Sequence, residues 1–435
     1  LPDPPSRGEP ACREGAAGVV GLRLKGAGPA GEPVEAHPPL LLKVKGHSRW
    51  GPYAYQPVLA RQGRRLTREH QLPLALMAHL LEQEQQAPVT EMLVVGGSGR
   101  RLERDRVGFS HGLRRQLGDA LRKLSSDLSH SQPPALAADR RKCTLCSWRG
   151  PCNSEAVAQG HLSEVSGIGA KRRDMLMDIG IDGLTALADA DPDRLALQLE
   201  RFGEQHGAVA PLLVAQARAQ RDGRAEPLAA SPALPELADA PGVLLYDIES
   251  DPDARDDFLH GFVRLPRGMD GRWDLSLATY HPLLALQEHG EAACWARLRR
   301  LLQRYPDWPV LHYGETESLA LRRMAQRQGM GATDLAALRR QLVDVHERLR
   351  RHWRLPLSSY GLKTVADWLG FRWGQPGVDG ARALLWWRQW RGTGRGDRGH
   401  VQALRWIFAY NRDDGLATWA VASWLLAQED TLRKS

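Results

Sequence analysis

The segment that most restricts how this chain can fold is Val243-Leu244-Leu245-Tyr246-Asp247-Ile248-Glu249, an apolar run that ends in two acids. The run reads as a buried strand, and because side chains alternate along a strand, Asp247 and Glu249 leave it on one face. Two adjacent carboxylates repel each other, and enclosing them without partners would cost several kcal/mol. The fold must either leave this strand end in water, where the D-x-E pattern is a coincidence, or place cations between the acids.

Two later segments carry further acids. Trp308 to Gly314 reads as a second short strand, and Glu317 follows at the head of the helical pattern Leu319, Leu321, Met324, with Glu315 as its alternative. Tyr410 and Asp414 lie one turn apart in a helix expected from about Val401 to Leu426, on a face from which Asp413 is rotated by about 100°. This order, a D-x-E pair, an acid after a strand and Y-x-x-x-D on a late helix, resembles the DEDD 3′-5′ exonucleases of the DnaQ-like, RNase H-like superfamily. Between them, Ser359 to Phe371 (SYGLKTVADWLGF) is similar to a segment of YprB-like RNase H domains and of the exonuclease domains of family B polymerases.

The resemblance runs from Val243 to the end and implies a mixed sheet flanked by helices. It implies that Asp247 bridges two divalent ions, that Glu249 and Asp414 complete the first, and that Glu317 holds the second directly or through water. Tyr410 would orient the attacking water, and Lys363 would contact nucleic acid. Glu317 stands where those families usually supply Asp, and its longer side chain can still reach a metal. Ions about 3.5–4 Å apart stabilise both the attacking and leaving oxygens of an in-line phosphodiester displacement. Oxygen ligands suit magnesium or manganese better than zinc.

A net charge of +8 favours a polyanionic partner. Arginine forks pair phosphates bidentately, and Arg100-Arg101, Arg140-Arg141-Lys142 and Arg348 to Arg354 are the clusters that would track a backbone or simply lie solvated. No segment offers eighteen uninterrupted apolar residues and no signal peptide is evident, so a soluble cytoplasmic protein without a membrane partner is expected.

Upstream, Cys143, Cys146 and Cys152 form C-x2-C-x5-C within a basic run, whereas Cys12 and Cys294 stand apart. Disulfides do not persist in a reducing cytoplasm, so a metal site leads. The spacing resembles that of iron-sulfur RecB-family nucleases, which implies a [4Fe-4S] cluster completed by an upstream cysteine, here Cys12. Zinc and uncoordinated thiols are the rivals. The preceding strand, strand, helix order resembles a RecB-like PD-(D/E)XK fold. Its acids are missing, with Pro38-Pro39 for Pro-Asp and Leu59-Ala60-Arg61 for the (Asp/Glu)-x-Lys. A degenerate scaffold retained for binding or structure is expected.

Gly167-Ile168-Gly169, followed by Lys171, Arg172 and Arg173, resembles a helix-hairpin-helix motif, and Gly180-Ile181-Asp182-Gly183 suggests a second hairpin. Amides at the following helix N-terminus can face a phosphate without reading sequence. The alternative is an ordinary glycine-capped turn. The expected α/β multidomain organisation is a RecB-like α/β region with the cysteines over 1–160, a small all-α helix-hairpin-helix module over 161–221, an Ala/Pro-rich linker over 222–242 and the RNase H-like domain over 243–435. The expected activity is metal-dependent 3′-5′ hydrolysis of DNA or RNA, most readily at single-stranded ends. A non-catalytic repair or processing factor and a structure-specific endonuclease are the alternatives.

Overall fold

The structure, a computed structural model, describes residues 6–434 apart from 29–30, 63–65, 67, 99–100, 132–134, 138–142, 144–145, 147, 230, 252–255, 287–288 and 393–397. Arg100 and the cluster Arg140 to Lys142 therefore lie outside the described residues. The chain divides into two compact units, one comprising Leu1–Ala135 and Pro252–Asp256 and one comprising Leu136–Asp251 and Asp257–Ser435.

The first unit is a six-stranded sheet in the order Ser6–Arg7, Gly18–Val20, Leu40–Ser48, Gly51–Gln62, Glu91–Ser98, Arg101–Gly108. Leu40–Ser48 and Gly51–Gln62 form an antiparallel hairpin. The helix Arg68–Gln85 then crosses to Glu91–Ser98, which pairs in parallel with the second hairpin strand. Leu74, Ala78 and Leu81 of that helix are buried with Leu41, Tyr55, Met92 and Val94 of the sheet.

The second unit begins with an all-α module around Leu162, Val165, Ile168, Leu176, Leu187, Leu199 and Val214. Gly167 turns the chain at φ +91°, a conformation that a side chain on Cβ opposes, and Gly169 precedes the helix Ala170–Asp178. Gly180 at φ +84° ends that helix, and Gly183 precedes Leu184–Asp189. The last helix of the module, Ala210–Asp222, is joined to the residues beyond it by Gln216. Its Nε2 donates to the Leu355 carbonyl at 2.9 Å, and its Oε1 accepts from the Tyr360 hydroxyl at 2.9 Å. Tyr360 is the aromatic residue of the SYGLK segment.

The remainder is a five-stranded sheet ordered Thr279–Leu284, Asp256–Pro266, Gly242–Asp251, Val310–His312, Leu342–Asp344. Numbered along the chain, these strands run 3-2-1-4-5. The last three pair in parallel, and Thr279–Leu284 is antiparallel to its neighbour. Strand Gly242–Asp251 is central and buried on both faces, which explains its unbroken apolar run. Val243 and Leu245 pack with Trp419, Val421 and Leu425 of the 37-residue helix Arg398–Lys434. Leu244 and Tyr246 pack on the other side with Trp295, Leu298 and Leu321, from the helices Gly290–Arg304 and Glu315–Arg327.

Within the Ala/Pro-rich stretch 222–242, Ala233, Leu234 and Leu237 are buried in this same core. Glu429 accepts the backbone N–H groups of Ala233 at 2.6 Å and Leu234 at 3.2 Å. Part of the Arg348 to Arg354 cluster is engaged internally, Arg348 with Glu236 and Arg351 with Glu347.

Candidate active site

Period-two alternation carries the face of Val243 and Leu245 onward to Asp247, Glu249 and Asp251, so all three acids emerge beneath the long C-terminal helix. They sit at the carboxyl end of the strand where the sheet order reverses, the usual place for a site in an open α/β sheet. The helix can approach closely because Gly415 has no side chain. A Cβ there would lie 3.2 Å from Val263 Cγ2 and 3.7 Å from Leu245 Cβ. That approach delivers Asp414 to the strand end.

Asp247, Glu249 and Asp414 offer carboxylate oxygens that all lie within 4.8 Å of one another, the only such group of three or more His, Cys, Asp or Glu among the described residues. Glu249 is 6% exposed and Asp414 8%. Burial pushes all three acids up, Asp414 to about 6 and the other two well above the carboxylate range. The Asp414 charge adds to the rise at both Asp247 and Glu249. Three converging carboxylates, Glu249 and Asp414 buried and Asp247 partly so, form a hard, all-oxygen donor set that fits magnesium or manganese.

The neighbouring groups oppose this repulsion. Trp373 Nε1 donates to Asp414 Oδ1 at 2.7 Å, and the nearby Tyr410 also lowers the pKa of Asp414. Lys363 lies with Nζ 4.9 Å from the centre of the Tyr410 ring, and its charge lowers the pKa of both Glu249 and Asp414. Asp413 faces elsewhere, accepting from the Gly374 N–H at 2.9 Å and from Arg412 at 2.7 Å.

Glu317 stands in the first turn of Glu315–Arg327, and its charge reaches both Asp247 and Glu249. Burial pushes its carboxyl up to about 7. Its Oε2 is buried and has no hydrogen-bond partner among the described residues. Glu315 is exposed. His312 ends its strand with Nδ1 2.6 Å from the Gly314 carbonyl oxygen.

Three participants escape a reading by motif. Asn411 donates through Nδ2 to Asp247 Oδ2 at 2.6 Å, Trp373 comes from the loop after the SYGLK helix, and Asp251 pairs bidentately with Arg388 at 2.8 and 3.2 Å. The signals were present: Asn411 adjoins Tyr410, and Asp251 continues the period of Asp247 and Glu249.

In the helical module Lys171 is exposed, whereas Arg172 donates back to the Gly167 carbonyl and so closes its own turn. Cys143, Cys146 and Cys152 carry free thiols and form no set comparable to the carboxylates, so the described residues offer no assembled site for the iron-sulfur cluster or zinc that their spacing suggests. Cys12 lies in the apolar core of the first unit, where burial pushes its thiol up to about 11, away from the thiolate that a metal requires. No helix among the described residues is long and apolar enough to cross a membrane.

Residues 244–426 match the RNase_H_2 family model, of the RNase H superfamily. No curated protein matches the chain. Residues 244–426 are thus RNase H-like, and the acidic cluster within them suggests a metal-dependent nuclease.

Proposed function

We propose that the C-terminal domain is a 3′-5′ exonuclease that hydrolyses single-stranded ends of DNA or RNA. The observation that carries this reading is the convergence of Asp247, Glu249 and Asp414 within 4.8 Å, with Tyr410 one helical turn before the last of them. Asp247, Glu249 and Asp414 would hold one divalent ion, and Glu317, with its unpartnered Oε2, would hold a second together with Asp247. When bound, such ions supply the charge that stabilises the attacking and leaving oxygens. Tyr410, one helical turn before Asp414, would orient a water, and Lys363 would add a cation where a phosphate enters. The Gly167 turn with exposed Lys171 would grip the backbone without reading sequence.

The test is degradation of 3′- and 5′-labelled single-stranded DNA and RNA, with closed circular DNA alongside, in magnesium, manganese or EDTA. Metal-dependent shortening from the 3′ end, with circles left intact, is the expected result. Cleavage of the circles would make the enzyme an endonuclease, and no cleavage despite binding would make the domain a nucleic-acid-binding factor.

Lys363→Met should lower turnover and move the acid limb of the pH-rate profile to higher pH. The sign follows because Lys363 lowers the pKa of Glu249 and Asp414, and its loss lets both acids hold protons longer. An acid limb that stays in place would show that Lys363 does not act on these acids.

A further inference from the structure

Asn411 is 1% exposed and sits against Asp247 of the central strand. Its Nδ2 donates to Asp247 Oδ2 at 2.6 Å, and its proximity lowers the pKa of Glu249. A carboxylate accepts only, so the amide nitrogen must face the acids and the amide oxygen must face away. On that far side the Tyr280 hydroxyl donates to Asn411 Oδ1 at 2.8 Å. Tyr280 stands on the edge strand Thr279–Leu284, so the amide is oriented from the opposite side of the site.

The space for this arrangement is supplied by Gly261. A Cβ there would fall 1.6 Å from Asn411 Oδ1, 2.7 Å from its Cγ and 3.0 Å from the Tyr280 hydroxyl. Such a Cβ and the observed amide cannot coexist. Three segments distant in sequence thus converge on one amide that donates to Asp247.

We propose that Asn411 is a positioning residue, oriented by Tyr280 and admitted by Gly261, that sets the spacing of Asp247 and Glu249 for capture of a divalent ion. The inference rests on the proposed metal-dependent hydrolysis. Asn411 touches neither substrate nor reacting atoms; it acts through the two carboxylates, as partners of metal ligands do.

The test uses the full chain and Mn2+ as the probe, with binding measured by calorimetry and hydrolysis measured against Mn2+ concentration. Asn411→Ala should raise the half-saturating Mn2+ concentration about 10- to 100-fold in both assays, with turnover recovering towards wild type at saturating metal. Tyr280→Phe, which keeps the ring and removes only the orienting hydroxyl, should shift Mn2+ binding in the same direction by a smaller factor. A merely structural role would lower the melting temperature and leave the half-saturating concentration in place. Wild-type Mn2+ binding in a folded Tyr280→Phe and in Asn411→Ala would overturn the inference while leaving the nuclease reading intact. Weakened binding in both variants of a protein that never hydrolyses nucleic acid would sustain the inference about the ion site and sink the hydrolytic reading.

Discussion

Asp247→Asn abolishes hydrolysis and at the same time raises the thermal stability of the metal-free protein. The first effect follows from the central place of Asp247, whose carboxylate would contact both ions. The Lewis-acid contribution is several kcal/mol, which at about 1.4 kcal/mol per tenfold amounts to a loss of roughly a thousandfold or more. The second effect has the opposite sign because the substitution removes one of three mutually repelling charges. An asparagine at this position still accepts from Asn411 Nδ2, and its own amide can donate to Glu249 or Asp414, so a repulsion becomes a hydrogen bond. Turnover of labelled single strands and melting in EDTA, measured on the same preparations, give both numbers. A variant that is inactive but also less stable would point to collapse of the strand end and not to loss of a metal ligand.

Magnesium stabilises the folded protein near pH 8 and has little effect near pH 5. Burial raises Asp414 to about 6 and Glu317 to about 7, and holds Asp247 and Glu249 well above the usual carboxylate range. A carboxyl whose folded pKa lies above its unfolded one contributes stability that is complete below the unfolded value and is lost as pH rises through the folded value. The contribution of these acids to the metal-free protein is therefore complete below about pH 4 and is lost as pH rises through about 6 for Asp414 and about 7 for Glu317. A cation replaces the protons at the upper end, and at a hundredfold excess over its dissociation constant it adds about 2.7 kcal/mol. At the lower end protons compete it away. Melting curves with magnesium or EDTA at the two pH values decide the matter. A metal-free stability that does not fall with pH, together with no magnesium effect near pH 8, would remove the carboxylates from consideration as an ion site.

The central strand was legible because Val243 to Tyr246 is apolar at every position, which only a strand covered on both faces tolerates. Helical rotation separates Asp414 from Asp413, whose carboxylate accepts from the Gly374 N–H. Adjacency to Tyr410 pointed to Asn411, but no pattern announced what orients it. Asn411, Tyr280 and Gly261 lie on three segments whose encounter is decided by strand pairing and helix docking, and a hydrogen bond across 131 residues has no local signature. The Ala/Pro-rich stretch misleads in the same way. Ala233, Leu234 and Leu237 are too sparse to show a period, yet each is buried against the C-terminal helix, and Glu429 holds the backbone between them. Cysteine spacing was the opposite case, a pattern plain in sequence that the described residues do not gather into a donor set.

The long helix Arg398–Lys434 both covers the Val243 and Leu245 face and brings in Tyr410, Asn411 and Asp414. A nascent chain emerging from the ribosome therefore exposes Asp247 and Glu249 long before it can use them, because the third acid arrives 165 residues after the second. Completion of the core and completion of the acidic cluster are one late event in synthesis. A polypeptide abandoned partway, even one retaining every strand of the sheet, would be harmless to the nucleic acids around it.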